Sequence, residues 1–136
     1  MRKTYVIVIV FAALFFIIVA SFALPSVVSV IKNEKNNQRC QDEMEEHALQ
    51  YLEQNVEGFN RTEWKFTRCY SEGRETKVDE YNSANPSDYI YPYSKTKIYF
   101  AENTLFPSNV RWVVYFQISN EMKHEVVGCE LITVKE

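Results

Sequence analysis

The stretch of sequence that decides the fold runs from Thr4 to Ile31 and reads TYVIVIVFAALFFIIVASFALPSVVSVI, with no charged residue and no histidine. As a helix, these 28 residues would reach about 42 Å, whereas the hydrocarbon core of a bilayer is about 30 Å thick. β-Branched residues are tolerated in lipid because a helix satisfies its backbone hydrogen bonds within the segment. The run therefore predicts a transmembrane helix within residues 1–31, with membrane contact through residues 4–31.

A cleaved signal peptide is the alternative interpretation of this run. Arg2 and Lys3 supply a positive start, and Ser21-Phe22-Ala23 is suitable for cleavage. The apolar core from Tyr5 to Ala20 is at the upper limit for a signal peptide, which favours a retained signal-anchor. A three-residue tail stays easily in the cytoplasm, so we expect a single-pass protein of the cell membrane with its domain on the extracytoplasmic side. Cleavage would instead give a secreted or periplasmic domain.

The 105 residues after Ile31 suffice for one small domain. Residues 32–39 are polar throughout and predict a short stalk or a solvated helical turn, and residues 40–136 form the predicted extracytoplasmic domain. The part after Ile31 contains 13 bases and 18 acids, a formal charge of −5. An acidic domain without a cluster of bases offers little to a phosphate backbone, so we expect no nucleic-acid partner.

Apolar residues then recur at steps of three and four, which predicts an amphipathic helix from about Gln38 to Glu57. Asn36 or Asn37 is the expected N-cap, and Gly58 is the expected end. The apolar face comprises Cys40, Met44, Ala48, Tyr51, Leu52, Val56 and Phe59.

Beyond Gly58 the apolar residues recur at every second position, which predicts strands. The five expected strands are Thr62–Tyr70, Glu75–Asn82, Lys95–Glu102, Val110–Ser119 and Glu125–Val134. In the fourth, Val113 and Tyr115 oppose the main apolar face, which indicates a central strand partly covered on both sides. One apolar helical face on one face of a curled antiparallel sheet defines an α+β roll. The layout resembles that of cystatin-like and NTF2-like rolls, but the chain carries no motif of either family.

Two groups of residues stand out as candidate sites. Tyr89, Tyr91 and Tyr93 share one side of an extended segment and would form a ridge of rings suited to an interface, or would pack over a sheet edge. Cys40, Cys69 and Cys129 allow one disulfide in an oxidising compartment. Strand parity places Cys69 on the side opposite Trp64, so Cys40 with Cys129 is the favoured pair. Three buried thiols are the alternative.

Nothing in the spacing of histidines, cysteines, carboxylates or glycines matches a catalytic, metal-binding or phosphate-binding motif. We therefore expect a protein that is not an enzyme and that has no metal and no cofactor. The main hypothesis is a membrane-tethered binding or assembly module outside the cytoplasmic membrane, such as an envelope-complex subunit, an immunity-like protein or an inhibitor, with another protein as partner. The alternative is a secreted or periplasmic domain with an apolar ligand pocket between helix and sheet, lined by Trp64, Phe66, Phe100, Trp112 and Phe116.

Overall fold

The computed structural model describes residues 2–135, together with all of their side chains except those of residues 2 and 23–26. Met1 and Glu136, at the ends of the predicted domain bounds, lie outside the described residues, as does the Ala23 side chain of the predicted cleavage site. The chain divides into two compact units, residues 1–36 and residues 37–136.

A single helix, α1, runs from Arg2 to Asn55. Its apolar side chains between Tyr5 and Ile31 are 48–80% exposed wherever they are described. By length and composition this helix is apolar enough to cross a membrane, a test that a signal sequence also passes. The expected second helix with its own cap at Asn36 or Asn37 does not form, because residues 32–39 are good enough helix formers to continue the helical hydrogen bonds.

In the second unit, α1 buries one face. Cys40, Met44, Ala48 and Leu52 lie one turn apart and are at most 8% exposed, as their spacing predicts. After Asn55 the helix gives way to a turn, and Gly58 adopts φ +74°, a left-handed conformation that suits glycine at a helix end. A short 3₁₀ turn, Arg61–Glu63, then leads into the sheet.

The sheet has four antiparallel strands in chain order, β1-β2-β3-β4. Their bounds are Trp64–Arg74, Tyr93–Glu102, Val110–Ile118 and His124–Thr133. The fold class is therefore α+β as predicted, but the prediction of five strands is wrong.

The segment expected as the second strand, Glu75–Asn82, belongs instead to a helix, α2, from Thr76 to Ala84. Val78 is 3% exposed and Tyr81 and Asn82 are half-buried, which is the i, i+3, i+4 pattern of one helical face. Asn82 anchors the following loop: its Nδ2 donates to the carbonyl oxygen of Ile90 at 2.7 Å, and its Oδ1 accepts from the Ile90 amide at 2.8 Å.

The hydrophobic core lies between α1 and one face of the sheet, here called the helix-side face. Ile98, Phe100, Val114 and Phe116 of the two central strands are at most 1% exposed and pack with the buried α1 residues. Trp64, Trp112 and Phe59 extend this core near the end of α1, with ring centroids 6.3–6.4 Å apart.

Two irregularities in strand pairing change which side chains face this core. The register of β1 shifts between Phe66 and Arg68, and that of β4 shifts opposite Tyr115 and Phe116. An extra residue in one strand reverses the alternation beyond it. Cys69 consequently pairs with buried Ile98 and lies on the core side, not on the side opposite Trp64 as strand parity predicted.

Candidate functional site

The face of the sheet that is turned away from α1, here called the outer face, carries the side chains opposite in parity to the core. At its centre are Arg68, Tyr70, Lys97, Tyr99 and Tyr115, here called the tyrosine cluster. The pairing register places Arg68 beside Tyr99, and Lys97 between Tyr70 and Tyr115. Three rings and two cations are thus neighbours on three adjacent strands.

Cations and rings in the tyrosine cluster contact one another. The Arg68 guanidinium lies 5.6 Å from the ring centroid of Tyr70 and 5.8 Å from that of Tyr99. The Lys97 ammonium lies 6.0 Å from the Tyr70 centroid and 5.7 Å from the Tyr115 centroid. Each such contact contributes about 0.5–1 kcal/mol at an exposed site. The contacts order the long side chains without neutralising their charge.

One acid lies at the edge of the tyrosine cluster. The Tyr115 hydroxyl donates a hydrogen bond to Oε1 of Glu130, and this bond together with partial burial raises the pKa of Tyr115 to about 12. Within residues 2–135, no carboxylate lies within 4 Å of the charged groups of Arg68 or Lys97. Both cations are therefore available for an ion pair with a group outside the described residues.

Charge is unevenly distributed over the second unit. By pairing register, the outer face carries six bases and three acids: Lys65, Arg68, Arg74, Lys95, Lys97 and Arg111 against Glu72, Glu125 and Glu130. One of the six, Arg74, forms an ion pair with Asp79 of α2. The solvent side of α1 is acidic, with Asp42, Glu43, Glu46 and Glu53 exposed. Arg61 neutralises part of it through ion pairs of 3.1 Å to Glu46 and 2.6 Å to Glu53. The outer face is thus a cationic surface on an acidic domain.

A cavity of about 310 Å³ opens on the outer face beside the tyrosine cluster. Its walls are Thr67, Arg68, Tyr99, Arg111, Ile132 and Val134, and we call it the arginine pocket. Nη1 of Arg111 donates to the carbonyl oxygens of Ser108 and Val110, which holds its guanidinium in place. The pocket combines two cationic groups with an apolar wall.

The residues of the predicted tyrosine ridge lie before and at the start of β2, outside the tyrosine cluster. Tyr91 is 4% exposed and belongs to the core, with half-buried Tyr89 and Tyr93 packed against it. The Tyr91 hydroxyl bonds to Ser71 Oγ at 2.7 Å and accepts from Gln41 Nε2 at 3.1 Å. The expected ridge of three exposed rings does not form, because burying Tyr91 fills the space between α1 and the end of β2.

A second cavity, of about 280 Å³, lies next to Tyr91 and includes Cys40, Glu43, His47, Lys123 and His124 in its lining. Nε2 of His124 donates to the Tyr91 carbonyl oxygen at 2.9 Å, whereas its buried Nδ1 has no hydrogen-bond partner among the described residues. Burial lowers the pKa of His124. Among the described residues, no group of three or more histidine, cysteine or acidic side chains is arranged to hold a metal ion.

All three cysteines are free thiols in the structure, and burial raises the pKa of each. Protonated thiols are poor nucleophiles. Cys69 and Cys129 lie at the two ends of one cross-sheet row that passes through Ile98 and Val114, about 14 Å apart at three strand spacings. That separation is too large for a disulfide between them. The Cys40–Cys129 disulfide is not formed here and stays a prediction for the oxidised protein.

Sequence reasoning missed the tyrosine cluster, although a signal was present. Basic and tyrosine residues alternate at steps of two in β1 and β2, as Arg68-Cys69-Tyr70 and Lys97-Ile98-Tyr99. Period-two alternation places such residues on one face of a sheet. The sequence analysis identified this second face only in β3, through Val113 and Tyr115.

No family model matches this chain, and neither a curated protein nor a solved structure is similar enough to it to count as a match.

Proposed function

We propose that the protein is a non-enzymatic binding module, anchored in the cell membrane by residues 4–31 with its domain on the extracytoplasmic side. Its partner is another protein, which presents an acidic segment to the outer face of the sheet. The exposed apolar side chains of the first unit support the anchor. The position of α1 on one side of an antiparallel sheet supports the expected roll layout.

The observation that carries this proposal is the tyrosine cluster with its two cations free of carboxylates. Tyrosine and arginine are enriched at the centres of protein interfaces because they bury a large area with few rotatable bonds. The Tyr70 side chain is 42% exposed and thus within reach of a partner. The positive charge of the outer face on a domain of formal charge −5 favours an acidic partner over a basic one.

A ligand pocket between helix and sheet receives less support. Phe100 and Phe116, two of its five expected lining residues, are at most 1% exposed and pack directly in the core. Phe66, a third, lies at the sheet edge and is 37% exposed. The two central rings therefore fill the space that a ligand would need.

Site-specific photocrosslinking in the full chain, expressed in its own membrane, tests the proposal. p-Benzoylphenylalanine is placed at Tyr70 and, as the matched control, at Phe66. Both positions are in β1 and similarly exposed, but Phe66 pairs with core residue Phe100 and lies on the helix-side face. We expect an adduct from position 70 and none from position 66.

The chemistry of the adduct decides the outcome. Mass spectrometry should identify a crosslinked peptide rich in Asp and Glu, and the double change Arg68→Glu and Lys97→Glu should abolish the adduct. Equal adducts from both positions, or an adduct indifferent to the charge reversal, would contradict the proposal. A crosslink to a second copy of the chain would contradict a foreign partner and would indicate self-association instead.

A further inference from the structure

We propose that the arginine pocket binds a carboxylate that has an apolar group next to it, and that this is the anchoring point of the acidic partner. The inference rests on the proposed function for the source of the ligand. Its lining residues are two arginines, one tyrosine, one threonine and two aliphatic residues.

The electrostatics of the pocket call for an anion. Arg68 and Arg111 line the same cavity, and within residues 2–135 no carboxylate lies within 4 Å of either guanidinium. Two positive charges that line one partly enclosed space favour the binding of an anion beside them. Guanidinium groups match the planar, two-oxygen geometry of a carboxylate.

The donors are in part already oriented. Arg111 is held by the carbonyl oxygens of Ser108 and Val110, and its Nε and Nη2 atoms have no hydrogen-bond partner among the described residues. Arg68 is held over the rings of Tyr70 and Tyr99. A binding group that is ordered before the ligand arrives loses less conformational entropy when it binds.

The aliphatic side chains of the pocket favour a ligand with an apolar group. Ile132 and Val134 lie in or just beyond β4, and Ile132 pairs with Arg111 across the sheet. The volume, about 310 Å³, is at the lower end of the range of about 300–1,000 Å³ for small-molecule sites. The pocket therefore fits a single residue of a partner, either a C-terminal aliphatic residue with its own carboxylate or an acidic side chain beside an aliphatic one.

Three small probes separate the charge from the apolar contact. N-acetyl-L-leucine carries both groups, N-acetyl-L-leucinamide lacks the charge, and acetate lacks the apolar group. They are titrated into the ¹⁵N-labelled full chain in detergent micelles while the amide signals of Thr67, Tyr99 and Ile132 and the Nε–Hε signals of the arginines are followed. For a ligand of about twelve heavy atoms, a dissociation constant of roughly 1 mM is expected for N-acetyl-L-leucine.

We expect acetate to bind at least about fivefold more weakly than N-acetyl-L-leucine and the leucinamide at least about tenfold more weakly. Arg68→Gln should weaken N-acetyl-L-leucine binding at least about fivefold, and Arg68→Lys should weaken it less. Lys65→Gln removes an outer-face cation that does not line the pocket, so binding should change less than about twofold. Unchanged amide shifts elsewhere in Arg68→Gln verify its fold.

The inference is overturned if the leucinamide binds as tightly as the acid, if Arg68→Gln and Lys65→Gln behave alike, or if the shifted signals lie outside the pocket. N-Acetyl-L-glutamyl-L-leucinamide, whose only carboxylate is the glutamate side chain, is titrated in parallel with N-acetyl-L-leucine. The comparison distinguishes an acidic side chain beside an aliphatic one from a C-terminal carboxylate as the source of the charge. A crosslink at Tyr70 without binding of N-acetyl-L-leucine would contradict the inference about the arginine pocket and leave the proposed function standing. Acid binding without the Tyr70 crosslink would leave the pocket in place and remove the proposed function.

Discussion

Tyr91 joins three parts of the second unit through one side chain. Its ring is buried among core residues, and its hydroxyl contacts Gln41 of α1 and Ser71 of β1. Ser71 Oγ in turn lies 3.2 Å from the hydroxyl of buried Thr96. The sequence alone offers Tyr91 as part of an interface ridge or as packing over a sheet edge, because neither its burial in the core nor its hydrogen bonds are visible in local patterns.

We expect Tyr91→Ala to lower the free energy of unfolding by about 3–5 kcal/mol, and Tyr91→Phe by about 1–2 kcal/mol through the lost hydrogen bonds. Urea unfolding of the full chain in micelles, followed by tryptophan fluorescence, measures both, because Trp64 and Trp112 lie in the second unit. Tyr70→Ala, which alters an exposed ring, is the control. A Tyr91→Ala variant as stable as this control would contradict the burial of Tyr91.

His124 makes stability depend on pH. Burial lowers its pKa in the folded state, so the unfolded chain binds a proton more readily than the folded one. Stability is then fully present above the ordinary histidine pKa of about 6.5 and decreases as the pH falls through the lower pKa of the folded state. The titratable residues that line the cavity next to His124 include Glu43, His47, Tyr91 and Lys123.

Urea unfolding at a series of pH values between 7.5 and roughly 5 should show this decrease, and His124→Gln should reduce the slope just below about pH 6.5. His47→Gln keeps His124 and should retain the slope. If the two variants gave identical pH profiles, His124 would not be the group responsible.

Gly73 is required by its backbone conformation. It lies in β1 with φ +72°, and a Cβ there would come within 2.1 Å of Ser94 Oγ. Gly73→Ala should destabilise the fold by about 1–3 kcal/mol, because alanine is strained at positive φ and the Ser94 hydroxyl must leave its bond to the Glu72 carbonyl. At Gly128 an added Cβ meets no atom within 4 Å. Thermal unfolding of Gly128→Ala should therefore stay close to that of the unchanged protein.

Among the elements, the helix face and all four strands of the sheet were predictable, since burial on one side imposes periods of 3.6 and 2 on the sequence. The β-bulges were not, because an extra residue in a strand leaves no local mark. They place Cys69 on the core side and make Val127 the extra residue of β4, which is 55% exposed. The tyrosine cluster could not be assembled from the sequence, because its residues come from three strands whose order in the sheet the sequence does not give.

The α2 helix was misread because its nine residues give too few repeats to separate a helical period from an alternating one. The residues Ser71-Glu72-Gly73-Arg74 have the composition of a hairpin turn, but β1 continues through them and the returning strand begins only at Tyr93. The Arg74 guanidinium then bonds to Asp79 at 2.9 Å across the first turn of α2.

Val78 is the apolar anchor of α2, so Val78→Ala should loosen this element before the rest of the fold. Amide hydrogen exchange of residues 76–84 should become at least about tenfold faster, since two methylene equivalents of buried area, about 0.8 kcal/mol each, are lost. Exchange in β2 and β3 should not change. Val127→Ala, at an exposed position, is the control, and equal effects of the two changes would show that α2 has no such anchor.

For the whole molecule, the state of the N-terminal segment decides between an anchored and a released protein. We expect the full 16.0 kDa chain in the membrane fraction, measured by intact mass without reductant. Alkylation before and after reduction counts the free thiols: three in the non-reduced protein match the structure, and one indicates a disulfide formed in an oxidising compartment. A soluble species that begins near Leu24 would contradict the anchor.

The order of the sheet has a consequence for synthesis. Because β1 to β4 are neighbours in the order in which they occur in the chain, each new strand leaves the ribosome when its partner is already outside. Each pairing closes only a short loop, apart from the longer β1–β2 connection, which contains α2. The sheet can therefore grow strand by strand against α1 during translation, and a pause would leave a shorter sheet with a single open edge instead of a collapsed chain that must later be rearranged.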